Sequence, residues 1–377
     1  RSAVLSWTAY DKDLGAGIAG YRIYQSTTGQ AGPYTLLGSV TQNTLTYSAS
    51  GLLPNSVYYY KVQAYDVAGA ITASSNRIKF LSTVPTPPKY SYMRKVTVNA
   101  PNEVGITCHV DPLASTLNYK IMRSESNQPS GYLHVGSVPA MKATPVVYTD
   151  NTALTESKSY YYKIINVDSC GFDGQETNVG RTMLLTARAD LANFTNTLKW
   201  NDYETWSGNV TSYNIYRGID GVIDPAPIAN VPYSGQGNTY VDDISTLVNG
   251  QGIFNYYVEA QEGMGNIYGF TEKSISNIAE AYQNPIIYIP NAFVPIGVDG
   301  PNEVFIPVTT FVDFAEYEFS IFDRWGSQIF TTKETSKGWD GKVAGKTCEV
   351  GVYVYLVRYK TSRGEYLEYK GTVTLLR

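Results

Sequence analysis

Cys108 and His109 are adjacent in the sequence, and a thiol beside an imidazole is a pair that can support nucleophilic catalysis. Neighbouring side chains of a strand point to opposite faces, so we do not expect these two residues to form a catalytic dyad. The second of the two histidines in the chain is His134. Catalysis that depends on histidine is therefore not expected, and we assign no catalytic residue.

Two turns carry enough oxygen-bearing side chains to suggest a cation site. Asp11-Lys12-Asp13 resembles the start of a calcium loop, but the glycine and the bidentate glutamate are absent at the offsets that an EF-hand needs. Asp299, Asn302 and Glu303 lie close together, although Asp-Gly and Pro-Asn are also ordinary turn formers. We expect surface turns at both places and no metal site, with Ca²⁺ near Asp299, Asn302 and Glu303 as the weaker alternative.

Aromatic residues are the other candidates for ligand binding. The chain has 33 tyrosines, and Trp206, Trp325 and Trp339 could form a platform on which a sugar ring stacks. Alternate side chains of a strand must face the core, so most of these tyrosines are expected to be structural. Paired carboxylates for glycoside hydrolysis need a cleft, and small sandwiches with short loops do not offer a deep one. Glycan binding stays an alternative, and an enzyme is not expected.

Composition narrows the function classes further. Charged residues make up 16% of the 377 positions and the net charge is −4, whereas roughly 25% of the residues of a typical soluble protein are charged. Without a basic surface, a nucleic-acid partner is not expected. No apolar run approaches the roughly 20 residues of a transmembrane helix, so we expect no transmembrane segment. The chain opens on Arg1 and strand-like sequence, and we expect that its N-terminus has been cut from a longer protein.

An internal repeat organises the first three quarters of the chain. A Tyr-x-Ile pattern recurs at intervals of 98 and 94 residues, and a tyrosine-rich strand follows each copy. The first marker occupies residues 21–24, 119–122 and 213–216. The second occupies residues 57–62, 159–164 and, less fully, 255–260. All of these segments are typical of half-buried strands.

Two further markers close each copy. An acidic residue stands three positions before a glycine at Asp66, Asp168 and Glu262, which predicts a hairpin turn. A Ser/Thr-Asn pair then leads to the next apolar strand, at 75–76, 177–178 and 276–277. Four markers in constant order predict a module of short strands that occurs three times.

This order of strands and turns resembles tandem fibronectin type III domains of bacterial extracellular proteins. Trp7 and Trp200 take the place of the family's core tryptophan on the second strand, and Cys108 stands there in the second copy. The residues before Tyr58 resemble the family's tyrosine corner. The resemblance implies an all-β chain of tandem immunoglobulin-like sandwiches, with copies at 1–84, 85–185 and 186–284. The first copy begins at its second strand and is expected to be N-terminally truncated.

The domain boundaries also predict a linker and the state of the three cysteines. Pro85-Thr86-Pro87-Pro88 cannot join a central strand ladder and predicts a stiff spacer between the first two copies. Cys108 and Cys170 could meet at one end of the second sandwich, so a disulfide is the alternative to the free thiols that we expect. Cys348 is predicted to be a half-buried thiol.

Beyond Asn284 the repeat markers stop, and residues 285–377 have a sequence of their own. Six motifs follow one another as strands and turns of another small sandwich, at 289–295, 298–305, 319–326, 338–342, 351–355 and 370–377.

Together these motifs resemble the C-terminal sorting domain of gliding motility-associated, type B cargo of the type 9 secretion system. The residues that carry the resemblance are Pro290, Asn291, Phe293, Asp299, Asn302, Arg324, Trp325, Gly326, Trp339, Asp340 and Gly341. The family usually has Pro-Asn-Gly-Asp-Gly-x-Asn-Asp after its Ala-Phe, whereas this chain has Pro-Ile-Gly-Val-Asp-Gly-Pro-Asn-Glu at 295–303. This departure weakens the inference of a bound cation in that loop.

The resemblance implies export across the outer membrane of a gliding bacterium, to the cell surface or the outside. It implies as partners an outer-membrane β-barrel shuttle protein and the translocon of that secretion system. A final strand can offer its backbone groups to a partner, so we predict that the machinery binds Gly371, Thr372, Val373, Thr374, Leu375, Leu376 and Arg377. In the alternative, Val373 and Leu375 only complete the core of the domain.

These predictions describe an interaction protein: an exported cell-surface protein, with a gliding-related adhesin as the leading reading. Two alternatives remain open. The chain could be the accessory stalk and sorting region of a secreted hydrolase whose catalytic domain precedes Arg1, or a glycan-binding surface protein.

Overall fold

Charge-poor, tyrosine-rich sequence that is broken by glycine and asparagine turns favours short strands, and the computed structural model consists of them. The structure describes residues 2–12, 17–204, 206–247, 250–295, 302–361 and 363–377. Within these ranges the one helical turn is the 3₁₀ turn Pro129–Gly131. The chain is all-β, as the sequence predicts.

The strands fall into four consecutive units. Unit 1 contains β1 Ser2–Ser6, β2 Ile18–Ser26, β3 Thr35–Thr41, β4 Thr46–Ser50, β5 Ser56–Asp66, β6 Thr72–Ser74 and β7 Ile78–Ser82. Unit 2 contains β8 Ser91–Ala100, β9 Glu103–Val110, β10 Thr116–Ser124, β11 Leu133–Pro139, β12 Val146–Asp150, β13 Tyr161–Asp168, β14 Asp173–Glu176 and β15 Gly180–Arg181. Unit 3 contains β16 Leu185–Asp190, β17 Thr195–Trp200, β18 Val210–Ile219, β19 Val222–Ile223, β20 Ala229–Pro232, β21 Asn238–Asp243, β22 Ile253–Glu262, β23 Lys273–Ile275 and β24 Ala279–Tyr282. Unit 4 contains β25 Ile286–Tyr288, β26 Ala292–Phe293, β27 Val308–Thr310, β28 Asp313–Phe322, β29 Gln328–Thr332, β30 Lys342–Val343, β31 Lys346–Thr347, β32 Gly351–Lys360 and β33 Tyr366–Leu375.

Units 1 to 3 share one topology of two facing antiparallel sheets. The smaller sheet has the order β12-β9-β8 in unit 2 and β16-β17-β21 in unit 3, and the larger sheets are centred on the pairs β10-β13 and β18-β22. In unit 1 the smaller sheet contains β1 and β4 alone among the described residues, and β2 and β5 centre the larger one. The strand that corresponds to β8 and β16 is therefore missing from the described part of unit 1.

The buried tyrosines of these units occupy one position of the ladder. In β5, β13 and β22 the residue that pairs with the central isoleucine of the neighbouring strand is Val62, Ile164 or Val258. The residue two places before it is a fully buried tyrosine in every unit: Tyr60, Tyr162 and Tyr256. The sequence-based match of residues 255–260 with 57–62 is wrong by two positions, because the ladder aligns residues 253–258 instead.

The tyrosine corner of the first unit is formed as predicted. The backbone amide of Leu53 donates to the hydroxyl of Tyr58 at 2.7 Å. In unit 2 the amide of Leu154 makes the same bond to Tyr160 at 3.3 Å. Phe254 occupies the equivalent position in unit 3 and has no hydroxyl to accept a bond.

The Ser/Thr-Asn marker fastens the first strand of a unit. In unit 2 the amide of Met93 donates to Asn178 Oδ1 at 2.7 Å, and in unit 3 the amide of Leu185 donates to Asn277 Oδ1 at 2.7 Å. The equivalent Asn76 of unit 1 is exposed, beside an open groove of about 320 Å³ that β1 and β5 line. The asparagine of the marker thus forms a hydrogen bond to the backbone at the first strand of its unit, which the spacing in the sequence does not reveal.

Units 2 and 3 are packed against each other over a polar and aromatic interface. The amide of Val96 donates to the hydroxyl of Tyr203 at 3.0 Å, and the carbonyl of Val96 accepts from Ser274 Oγ at 2.8 Å. Trp206 donates its indole N–H to the carbonyl of Arg94 at 2.9 Å. Because these bonds satisfy backbone groups of β8 with side chains of unit 3, the two sandwiches hold a fixed relative orientation.

The connection between β22 and β23 strengthens this interface. The acidic-glycine marker predicts a hairpin turn, and it forms one at Gly69 and Gly171, which have φ values of 75° and 86°. After Glu262 the chain instead makes a longer loop over residues 263–271, which is closed by the hydrogen bond of 3.0 Å from the amide of Glu262 to the carbonyl of Glu272. This longer loop places Phe270 under the guanidinium of Arg94, whose Cζ lies 4.0 Å from the ring centroid. In unit 3 the segment after the acidic-glycine marker is therefore a loop that contacts unit 2.

Unit 4 is a five-stranded sheet of order β26-β33-β32-β28-β29, with β25-β27 and β30-β31 as separate pairs. Phe311 of this segment is buried in the core of unit 3, whereas the next residue, Val312, is buried in the core of unit 4. The ring of Phe311 meets Phe254 edge to face at 5.9 Å between centroids. One step along the backbone thus joins two hydrophobic cores.

The Pro85–Pro88 segment has no regular secondary structure and connects units 1 and 2. The amide of Ser115 donates to the carbonyl of Thr86 at 2.9 Å, and the amide of Lys89 donates to Asp111 Oδ2 at 3.0 Å. The spacer is thereby fastened at its unit 2 end.

Candidate functional site

The predicted partner-binding strand is β33, and it lies inside the sheet of unit 4. It pairs antiparallel with β32 along its whole length, and its last two residues pair in parallel with β26. The amide of Thr374 donates to the carbonyl of Asn291 at 2.9 Å, and the amide of Leu376 donates to the carbonyl of Phe293 at 3.0 Å. The end of the strand is therefore bound on both sides.

The side chains of the strand divide into two groups. Val373 and Leu375 are fully buried and belong to the core of unit 4. Thr372, Leu376 and Arg377 are exposed. Gly371 and Thr374 are half-buried, and a Cβ on Gly371 would collide with the hydroxyl of Tyr355. Only the exposed side chains are available to a partner while the domain stays folded.

The Gly-Trp-Asp-Gly motif of unit 4 builds the core. Trp339 is fully buried, exchanges two backbone hydrogen bonds of 2.9 Å with Phe305, and donates its indole N–H to the carbonyl of Lys342 at 3.0 Å. Asp340 accepts from the amide of Lys342 at 3.0 Å, and Gly341 has a φ of 74°. The motif is therefore a turn that places the side chain of Trp339 in the core of unit 4.

The motif residues at the start of unit 4 are also structural. Phe293 is 2% exposed and packs on Trp339, with 5.4 Å between ring centroids. Pro290 is half-buried, and Asn291 supplies the carbonyl that holds β33. These residues fix the parallel pairing of β26 with β33.

The turn that contains Asp299, Asn302 and Glu303 is described only in part. Asp299 lies outside the described residues. Asn302 is exposed and gives its carbonyl to the amide of Val294, and Glu303 is half-buried with one carboxylate oxygen unpartnered among the described residues. Ca²⁺ at this turn stays the weaker alternative to an ordinary surface turn.

Trp325 projects from the turn between β28 and β29 and is 84% exposed. The carboxylate of Asp323 accepts from the amides of Trp325 at 2.8 Å and Ser327 at 2.9 Å, and Gly326 has a φ of 83°. The turn is therefore well ordered by its own hydrogen bonds. The four other tryptophans, Trp7, Trp200, Trp206 and Trp339, are half-buried or buried.

The C-terminal residues reach the same end of the sandwich as Trp325. Arg377 donates to the carbonyl of Cys348 at 2.7 Å, and the next residue, Glu349, pairs with Arg324 at 3.3 Å. Trp325, Cys348 and Glu349 border a shallow groove of about 610 Å³. We call this surface the Trp325 face, formed by Arg324, Trp325, Cys348, Glu349, Val350, Val352 and Arg377.

The sugar-stacking platform suggested by the sequence is not assembled. Trp206 is 5% exposed because it lies in the interface of units 2 and 3, and Trp339 is fully buried in unit 4. Trp325 alone of the three is on the surface. Trp206 and Trp339 are buried in different units and cannot stack on one sugar together with Trp325. A platform made of these three residues is therefore wrong.

The three cysteines have different surroundings. The three cysteines are free thiols: Cys108 is buried, Cys170 is exposed and Cys348 is half-buried. Burial raises the pKa of Cys108, while His109 stacks on Tyr90 with 4.6 Å between ring centroids. Among the described residues no three His, Cys, Asp or Glu side chains are grouped to hold a metal ion. Nor do these residues include a helix long and apolar enough to span a membrane.

Models of known protein families match the two ends of the chain. Residues 1–80 match the fibronectin type III domain. An exoglucanase B of Cellulomonas fimi is 28% identical over 177 residues, which is 45% of this chain and 14% of that protein. An endoglucanase B of Cellulomonas fimi is 40% identical over 78 residues, 21% of this chain and 7% of that protein. The chain thus spans about a seventh or less of the length of these relatives.

Two solved structures are similar at low identity. The FN1–FN3 domains of chicken CNTN1 are 14% identical, with a TM-score of 0.19, and the match covers 73% of this chain and 94% of that one. A tetra-tandem repeat from the extending region of a large adhesion protein is 12% identical, with a TM-score of 0.25, and the match covers 100% of this chain and 99% of that one.

Residues 287–375, which include both the Trp325 turn and β33, match the type IX secretion signal domain, so this chain carries a signal for export across the outer membrane to the cell surface or beyond.

Proposed function

We propose that the chain is the spacer and export region of a cell-surface protein, in which unit 4 is the part that the type IX machinery binds. The partners are an outer-membrane β-barrel shuttle protein and the translocon. The match of residues 287–375 to the signal domain carries this proposal. Units 1 to 3 act as spacers between unit 4 and the part of the protein that carries the surface function.

Folding and recognition place different demands on the last strand. Val373 and Leu375 are needed in the core, so recognition uses the exposed Thr372, Leu376 and Arg377. Deleting residues 371–377 would remove core side chains together with the exposed ones. The deletion alone therefore cannot separate a lost docking surface from an unfolded domain.

The test is export from a native host of chains that differ only in unit 4. Removal of residues 286–377 should leave the protein in the periplasm, and removal of 371–377 should do the same. Replacement of Thr372, Leu376 and Arg377 by Asp, which spares the core, should lower the exported fraction while the purified protein keeps its thermal unfolding midpoint. Export of the chain without residues 286–377 at the normal level would disprove the proposal.

A second candidate function is an accessory region of a polysaccharide hydrolase. The names of the two Cellulomonas fimi relatives favour it, since both are called glucanases and both align with this chain over a small part of their length. Stiffly connected sandwiches would keep a catalytic domain at a distance from the cell surface. In this case the intact protein, purified from the producing cells, should release soluble sugar from cellulose.

A gliding-related adhesin is the competing reading of the same architecture. Cells that lack the intact protein would then glide or attach less on a surface, and the intact protein would show no hydrolysis of cellulose. Glycan binding without hydrolysis is distinguished by the retention of the purified chain on a polysaccharide column. These outcomes differ in the distal function and leave the role of unit 4 unchanged.

A further inference from the structure

An exposed tryptophan on an ordered turn has no structural task in unit 4. The turn is closed by Asp323 and by the positive φ of Gly326, and neither requires an indole at position 325. Trp325 makes no contribution to the core, unlike Trp339 in the same unit. A large aromatic side chain that is exposed on an ordered turn is the kind of residue that dominates protein–protein binding energy.

Two separate parts of the sequence bring guanidinium groups to the groove that Trp325 borders. The hydrogen bond from Arg377 to the carbonyl of Cys348 holds the C-terminal side chain there, and Arg324 extends from the turn itself. The ion pair of Arg324 with Glu349 is exposed on both sides, at 64% and 85% for the two side chains, so it is weak and can be exchanged for a partner's carboxylate. The Trp325 face therefore joins one apolar anchor with two guanidinium groups.

We propose that the export machinery docks on the Trp325 face, through an apolar pocket for the indole with carboxylates at its rim. This proposal rests on the proposed function of unit 4 and adds the surface that is read. The groove of about 610 Å³ next to Trp325 accepts a protruding side chain of the partner in return. The docking surface combines a turn and the C-terminal residues, so neither sequence segment suffices without the folded domain.

The test compares Trp325→Ala and Arg324→Glu with the control Tyr288→Ala, which removes another exposed aromatic ring of unit 4, 67% exposed and distant in sequence from the face. Purified chains are titrated onto detergent-solubilised β-barrel shuttle protein, and the exported fraction is measured in the native host. Trp325→Ala should weaken binding about 30-fold, as for a hot-spot tryptophan. Tyr288→Ala should bind and be exported normally, and all variants should unfold at the temperature of the parent chain.

The outcomes separate this inference from the function on which it rests. Normal binding and export of both Trp325→Ala and Arg324→Glu, with export blocked by removal of residues 286–377, would overturn the Trp325 face and leave unit 4 as the signal. Normal export without residues 286–377 would overturn the function itself. Equal losses in Trp325→Ala and Tyr288→Ala would also contradict a specific face.

Discussion

The hydroxyl of Tyr162 donates a hydrogen bond of 2.9 Å to the buried carboxylate of Asp150, which also receives a 2.8 Å ion pair from Arg123. Unit 3 repeats this triad: Tyr256 donates to Asp242 at 2.7 Å, and Arg217 pairs with the same carboxylate at 2.8 Å. Each triad ties the two facing sheets of its sandwich together, since the tyrosine and arginine come from the larger sheet and the aspartate from the smaller one.

Unit 1 has the tyrosine without its partner. Ala49 pairs with Ala3, four residues before Trp7, at the ladder position where Asp150 pairs with Val104 and Asp242 with Asn196. The hydroxyl of Tyr60 accordingly has no hydrogen-bond partner among the described residues, and burial raises its pKa to about 12.

We predict that Tyr162→Phe destabilises unit 2 by about 2 kcal/mol, since a buried carboxylate loses a donor. Tyr60→Phe should change the stability of unit 1 by less than about 0.5 kcal/mol, because it removes a hydroxyl that bonds to nothing in the described structure. Native-state hydrogen exchange of β13 and β5 amides measures each unit separately, which a single melting curve of a multi-unit chain does not. A loss in unit 1 as large as that in unit 2 would show that Tyr60 has a partner.

The interface of units 2 and 3 predicts a rigid pair. Trp206→Ala removes the bond to the carbonyl of Arg94 and the contact with Tyr203, whose ring centroid lies 4.1 Å away. We expect a loss of about 3 kcal/mol of stabilisation, as for other buried tryptophans, and faster proteolysis between the two units. Small-angle scattering should report a broader distribution of lengths for this variant. Trp325→Ala, which removes the same side chain from an exposed turn, is the matched control and should leave the distribution unchanged.

Acid should weaken the same interface through His109. Burial and the charge of Arg94 lower the pKa of His109 below its usual 6.5, and Arg94 itself pairs with Glu272 of unit 3. The unfolded chain therefore takes up a proton more readily than the folded chain, so stability falls as the pH drops below about 6.5. The decrease in melting temperature between pH 7.5 and pH 5.5 should be smaller in His109→Gln than in the parent chain. The exposed His134→Gln should keep the full decrease, and equal slopes in all three proteins would contradict the role of His109.

How far the sequence predicts this fold depends on the distance between interacting residues. The tyrosine corner at Tyr58 follows from neighbours five positions apart, and local spacing reveals it. The hydrogen bond between Met93 and Asn178 joins residues 85 positions apart, and the sequence shows Asn178 only as part of a repeated marker whose role it does not explain. The parallel pairing of β26 with β33 joins Phe293 to Leu375, so no local pattern predicts that the last strand is enclosed. For the candidate site, sequence singles out Trp325 and Arg377 separately, and only the fold brings them to one end.

The junction of units 3 and 4 gives a last prediction. Phe311 is in the core of unit 3 and Val312 in the core of unit 4, and the positive φ of 57° at Phe311 turns the two side chains to opposite sides. Its Cβ is so close to Gly252 that an added Cβ there would lie 3.0 Å away, so the insertion is tight. Phe311→Ala should cost about 3 kcal/mol and lower the hydrogen-exchange protection of β17 and β22, with the amides of β32 and β33 unaffected. Val312→Ala should have the opposite distribution. Loss of protection in β32 and β33 alone after Phe311→Ala would mean that this ring stabilises unit 4 and would contradict its place in the core of unit 3.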